Sequence, residues 1–216
     1  SSNLCRAEYL WEAAARQGLR SVLLYFVGYP PTTDMTVYVD WFWRPEAFYF
    51  EMCTNACYVY EAQKTDKTRR RRDILIPIEL KKAEGWTHLP ENQSSPVETK
   101  IEVLPKVKGE GVSYHALVLN KEDQGYQSLL LAKDKDYSKA LCILKEGEWS
   151  PWFKETFAAK GEEKAGTVRF KLVELSKEGK KLTLYRSQVY PVSGFSHPPE
   201  VSGELVEKFG PYINEA

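Results

Sequence analysis

The apolar and polar positions change rhythm along the chain. Ala7-Glu8-Tyr9-Leu10-Trp11-Glu12-Ala13-Ala14-Ala15-Arg16-Gln17 is rich in helix formers, repeats apolar side chains at helical spacing and meets Gly18, which predicts a helix over 7–17 with a glycine stop. Ser21-Val22-Leu23-Leu24-Tyr25-Phe26-Val27 follows as an unbroken apolar run, bounded by Gly28 and Pro30-Pro31. That pattern predicts a strand over 21–27 buried on both faces, so helix and strand together read as a piece of an α/β sheet. From Asp73 onward short alternating runs are separated by Gly, Pro, Asn and charged turns. Strands are predicted at 74–80, 97–104, 112–119, 127–132, 140–144, 152–157, 167–175 and 182–189, paired mainly antiparallel. The clearest hairpin is 167–175 with 181–186, turning at Gly179 and burying one face. Residues 200–209, closed by Gly210-Pro211, read as a short amphipathic helix. The predicted class is α+β: a short N-terminal helix–strand unit followed by a mainly antiparallel β-rich region.

Composition divides the chain in the same place. Residues 1–60 hold 14 of the 28 aromatics but only 4 of the 30 Lys and Arg residues, and a basic run over 64–73 follows, so a boundary is expected near residue 61. At 216 residues the chain can bury a core without disulfide staples. Lys plus Arg equals Asp plus Glu at 30 each, so no global field draws it to nucleic acid or anionic lipid, and a nucleic-acid binder built on the arginine run is disfavoured. No apolar run approaches the roughly 18 to 20 residues that span a bilayer, and the start Ser1-Ser2-Asn3-Leu4-Cys5 carries no signal-peptide pattern. A soluble, excised or processed piece is expected. Cys5, Cys53, Cys57 and Cys142 do not form a disulfide framework. Cys53-x-x-x-Cys57 lacks the second pair of ligands a structural zinc needs, so buried thiols are expected.

Catalytic chemistry is not visible. His88, His115 and His197 are isolated, and the chain has no HExxH, GxSxG or P-loop. Two features suit binding. The stretch Tyr38, Trp41, Phe42, Trp43, Phe48, Tyr49, Phe50 can stack on a base or sugar, Trp41 and Trp43 being the candidates, although clustered rings more commonly form core. Arg69, Arg70, Arg71 and Arg72, preceded by Lys64 and Lys67, can grip phosphate, although such runs are commonly solvated loops.

A resemblance adds to this. The run from Cys5 through Ala14, with Gly18, Ser21-Val22-Leu23-Leu24-Tyr25 and Tyr29-Pro30-Pro31-Thr32, resembles a segment of the type I phosphodiesterase/nucleotide pyrophosphatase family of the alkaline phosphatase superfamily. Gly147-Glu148-Trp149-Ser150-Pro151-Trp152-Phe153, then Gly166 through Leu172, then Glu204 through Tyr212 continue the likeness in order. The sequence departs from it at Val39-Asp40-Trp41-Phe42-Trp43, where relatives usually carry glycines.

The resemblance implies a region between the two halves of a two-metal site. Residues 1–60 would belong to the catalytic α/β core, 61–199 to an inserted β-rich cap and 200–216 to a helix returning to the core. The parent would hold two divalent ions, zinc or manganese, on residues outside this chain. Its partners would be the rest of the catalytic domain and a phosphoester or nucleotide-like substrate, chosen by the cap. A reading of another class is a free-standing binding module in which Trp86, Trp149 and Trp152 stack on sugar rings. If 21–27 is a central strand cut from its neighbours, it is expected to pair with the cap's own strands, to be covered by the helix at 7–17, or to lie in a chain-to-chain contact that makes a dimer of the fragment.

Overall fold

The computed structural model describes residues 7–24, 33–39, 58–63, 74–105, 108–121 and 124–213. They divide into two compact units, one formed by residues 1–53 and 190–216 and the other by 54–189. The architecture is α+β, with mostly antiparallel sheets and two α-helices among the described residues.

In the first unit, helix α1 (Leu10–Arg16) starts later than the periodicity predicts. Glu12 reaches back to accept the Tyr9 N–H at 3.3 Å, which fixes the entry turn three residues inside the predicted start. The helix stops where expected. Gly18 takes φ +76° and its N–H bonds to the Ala15 carbonyl while that of Leu19 bonds to Ala14, so the last carbonyls are satisfied by a left-handed turn. Strand β1 (Ser21–Leu24) then pairs parallel with β2 (Thr36–Val39), and β2 pairs antiparallel with a short strand at Ser196–His197.

Burial of the first strand on both faces is corrected by this sheet. Among the described strands, the order β1, β2, 196–197 places β1 at the edge, and Val22 and Leu24 are 65 % and 67 % exposed. Apolar continuity predicts a strand well, but it cannot say how many layers cover it, since that depends on neighbours distant in sequence. Tyr25, Phe26 and Val27 lie outside the described residues. The C-terminal helix spans Pro199–Phe209, with proline at its first position and Gly210 at its end. Val201, Leu205 and Val206 pack on Val39 and Phe195. Ser202, buried on this helix, accepts the Gly194 N–H at 2.8 Å and donates its own N–H to Ser196 Oγ at 2.8 Å.

The second unit holds β3 (Tyr58–Ala62), β4 (Ile74–Pro77), β5 (Lys81–Lys82), β6 (Val97–Val103), β7 (Gly109–Glu110), β8 (Val112–Lys121), β9 (Gly125–Ala132), β10 (Cys142–Lys145), β11 (Phe153–Ala159), β12 (Glu162–Val168), β13 (Phe170–Leu175) and β14 (Leu182–Arg186). One sheet runs β10-β9-β8-β6-β5 with every neighbour antiparallel. A second contains β12-β11-β7, also antiparallel. A third runs β13-β14-β3-β4, where only β3 and β4 are parallel. The expected antiparallel character of 73–189 is observed.

The core explains why the central strands lose their alternation. Leu117, Leu119, Leu130 and Ala132 are covered by Trp86, Leu89, Tyr137 and Ala140. Tyr114, on the same central strand, packs instead against Phe153 and Phe170, at ring separations of 5.6 and 5.3 Å. Covered on both sides, Ala116–Leu119 and Leu129–Ala132 are buried at every position. The predicted hairpin forms between β13 and β14, with Gly179 at φ +66° in its turn. Its one-faced burial is corrected: β14 is interior, flanked by β13 and β3, and Leu182, Thr183, Leu184 and Arg186 are all buried. Thr167 and Val168 belong to β12.

Candidate functional site

The sequence candidates Trp41, Trp43, Arg69, Arg70, Arg71 and Arg72 lie outside the described residues, as do Cys5, Cys53 and Cys57. Cys142 is a free thiol in β10, its pKa pushed up to about 11 by burial, so it is held protonated and unreactive. Among the described residues no group of three or more His, Cys, Asp or Glu is arranged to hold a metal ion.

The histidines serve different elements. His88 Nδ1 lies 2.9 Å from Asp136, which also accepts from Ser138 N at 3.0 Å and Ser138 Oγ at 2.7 Å. This carboxylate caps the 3-10 turn at Tyr137–Lys139. The Ser138 hydroxyl and then His88 lower its pKa to about 2. Because the folded value is depressed, the stabilisation is complete above the ordinary 3.8 and is lost as pH falls toward about 2. Asp136→Asn is therefore expected to flatten the stability profile across that window, measured by urea midpoints at pH 5, 4, 3 and 2.

Two cavities in the second unit are bounded by chemistry-bearing side chains. The smaller, about 450 Å³, is lined by Glu79, Lys81, Glu98, Lys100, His115 and Lys135 among others. Its centre is Glu98 of β6, which accepts the Trp86 indole N–H at 2.7 Å, Lys135 Nζ at 2.7 Å and the Glu84 N–H at 3.4 Å. Burial raises the pKa of this carboxyl, but the bonds from Lys135 and Trp86 outweigh it and the net shift is downward. Lys81 is paired with Glu79, Lys100 with Glu102 and Lys135 with Glu98. The cleft therefore neutralises itself, and no lysine is left over to hold an anion.

The larger cavity, about 790 Å³, lies between β3, β4, β6 and β14. It has a ligand-sized volume and a mixed lining: Ile74, Ile76, Ile78 and Leu104 form an apolar side, and Tyr58, Tyr60 and Arg186 an aromatic and cationic one. Tyr60 Oη donates to the Glu102 carbonyl at 2.6 Å. Its burial raises its pKa, and the adjacent Arg186 opposes the rise, so the phenol stays a proton donor. The parallel pairing of β3 with β4 and the antiparallel pairing of β3 with β14 set these residues side by side. β3 and β14 are more than a hundred residues apart on the chain, so local pattern does not signal the site. The only local cue is a Tyr-x-Tyr at 58–60, which puts both rings on one face of a strand.

The tryptophans of the sugar-binding reading do not form one platform. Arg169 stacks on both Trp149 and Trp152, its guanidinium 4.1 and 4.4 Å from the ring centres, and thereby braces β12–β13 against the turn before β11. Trp86 belongs to a different cluster, with its indole N–H bound to Glu98 and its ring edge-on to His115.

No family model matches the chain, and neither a curated protein nor a solved structure does.

Proposed function

We propose that this chain is the cap-bearing segment of a metal-dependent phosphoester hydrolase of the type I phosphodiesterase/nucleotide pyrophosphatase kind, in which the 54–189 unit selects substrate and the nucleophile and metal ligands lie outside the chain. The observation that carries the reading is chain order. An antiparallel β unit is inserted into a small α/β unit whose two parts, 1–53 and 190–216, flank it in sequence. Parallel strands belong to sheets covered on both faces, yet the parallel pair β1–β2 exposes Val22 and Leu24 at its edge strand. Further strands of a catalytic sheet would extend and cover this edge. The resemblance carried by Cys5–Ala14 and Ser21–Tyr25 falls on this same element. In such an enzyme two divalent ions would activate the nucleophile, and the cap would hold the leaving group.

The test is hydrolysis of bis(4-nitrophenyl) phosphate with zinc or manganese. The chain by itself is expected to be inactive, and the uninterrupted reading frame that contains it to be active. Turnover by the isolated chain that disappears on substituting His88, His115 or His197 overturns the reading. So does a complete reading frame with no Asp and Thr or Ser upstream and no Asp and His cluster downstream.

The exposed edge gives a second expectation. No helix among the described residues is long and apolar enough to cross a membrane. Val22 and Leu24 are exposed in the isolated chain. Burying side chains of this size contributes roughly 1.5 to 3 kcal/mol each, a drive toward self-association. The double substitution Val22→Lys, Leu24→Lys is expected to shift sedimentation toward monomer while changing stability by only about 0.5 kcal/mol. A wild-type chain that stays monomeric at high concentration counts against dimerisation of the fragment.

A further inference from the structure

Arg186 is only 2 % exposed, yet no carboxylate pairs with it among the described residues. Its Nε donates to the Ser187 carbonyl at 3.1 Å, and its guanidinium carbon lies over Tyr58, 3.8 Å from the ring centre. A buried charge without a counter-ion costs stability, and an apolar side chain of similar length commonly serves a core better. The carboxylates around it have lysines of their own. Glu102 is bound by Lys100 at 2.8 Å, and Glu155, which accepts the Tyr114 hydroxyl, is bound by Lys133 at 2.6 Å. Among the described residues, the lining of the 790 Å³ cavity therefore holds one positive charge with no carboxylate paired to it, held in place by Tyr58 and Ser187, together with the apolar Ile74, Ile76 and Leu104.

We propose that this cavity binds an organic anion, an apolar, preferably flat body bearing a carboxylate or phosphate head, with the head on the Arg186 guanidinium and the body between Tyr58 and the isoleucines of β4. The planar fork of arginine matches both heads with two parallel hydrogen bonds, and contact with Tyr58 fixes its position before the ligand arrives. The apolar side supplies affinity without orientation, and the charge supplies orientation. The inference concerns the β unit alone and does not depend on the phosphoester reading. The ligand is neither the metal-bound phosphoryl group nor a sugar platform.

The test uses the whole chain and three probes with one ring system: 1-naphthoate, 1-naphthyl phosphate and the neutral 1-naphthalenemethanol. Calorimetry is expected to show saturable binding of at least one anion, with the alcohol about tenfold weaker or more. The stronger anion identifies the head. Amide shift changes should centre on Tyr58, Tyr60 and Ile74–Ile78. Arg186→Met is expected to weaken the anion about tenfold, leave the alcohol nearly unchanged and not lower the melting temperature. Leu104→Glu, at an exposed rim position, adds a like charge at the mouth and is expected to weaken the anion without unfolding the chain. It decides the matter if Arg186→Met fails to fold. Absence of saturable binding by either anion at millimolar concentration overturns the proposal, as does binding that survives Arg186→Met or, where that variant is unfolded, Leu104→Glu.

Discussion

Phe170→Ala is expected to remove about 4 kcal/mol of folding stability. Phe170 is fully buried on β13, edge-on to Tyr114 at 5.3 Å and tilted against Phe153 at 6.1 Å. Tyr114 is itself pinned, donating its hydroxyl to Glu155 and lying under Lys133 Nζ at 4.0 Å. Burial and the neighbouring Glu155 carboxylate push the Tyr114 phenol far above its ordinary pKa, so it remains a donor throughout the accessible range. The rings around Phe170 are thus held from behind and cannot collapse into the space an alanine would leave, and a retained cavity is what makes such truncations costly. With a typical total stability of about 5 to 15 kcal/mol, the variant should unfold at a much lower urea concentration. Phe170→Leu should recover more than half of the loss. An effect below about 1 kcal/mol would mean that the three-ring cluster does not hold β8, β11 and β13 together.

Glu98→Ala is expected to cost about 2 to 3 kcal/mol, less than the ring truncation but by a different mechanism. The Glu98 side chain is 16 % exposed and gathers three donors from two segments: the backbone of Glu84 and the indole of Trp86 on one, and Lys135 on the other. Deleting it leaves the Trp86 indole N–H without its acceptor beside the cluster of Leu117, Leu119, Leu130 and Ala132. Lys135 keeps only the Glu84 carbonyl, at 3.0 Å. Glu98→Gln retains an acceptor and should cost less. The sign of its pH dependence follows from the lowered pKa: the contribution is present above the ordinary carboxylate value and is lost as pH falls through the depressed one. The difference in urea midpoint between wild type and Glu98→Gln should therefore shrink on acidification. A constant difference from pH 7 to pH 2 would assign the loss to shape and not to charge.

The parts of the fold legible from sequence are those whose cause is local. Gly18 ends α1 because a left-handed turn suits glycine, and Gly179 turns the hairpin at φ +66° for the same reason. The alternation of 97–103 and 112–115 marks strands because successive side chains point to opposite faces. Strands β2 and β3 went unread for equally local reasons. Thr36–Val39 and Tyr58–Ala62 are only four and five residues long, and their rings merge into a longer aromatic stretch with no change of period.

Layering was not legible. The sequence by itself determined the class, the antiparallel habit of 73–189, the turns and the helix stops, since backbone conformation and alternation depend on near neighbours. Only the tertiary structure decided which strands are covered twice. Among the described strands the apolar run at Val22–Leu24 forms a sheet edge, while β14 lies inside a sheet with the charged Arg186 buried in it. Burial depends on what surrounds a strand, and the neighbour paired with β14 is β3, more than a hundred residues earlier in the chain. The same pairing brings Tyr58, Tyr60 and Arg186 to one cavity, a conjunction no spacing along the chain expresses.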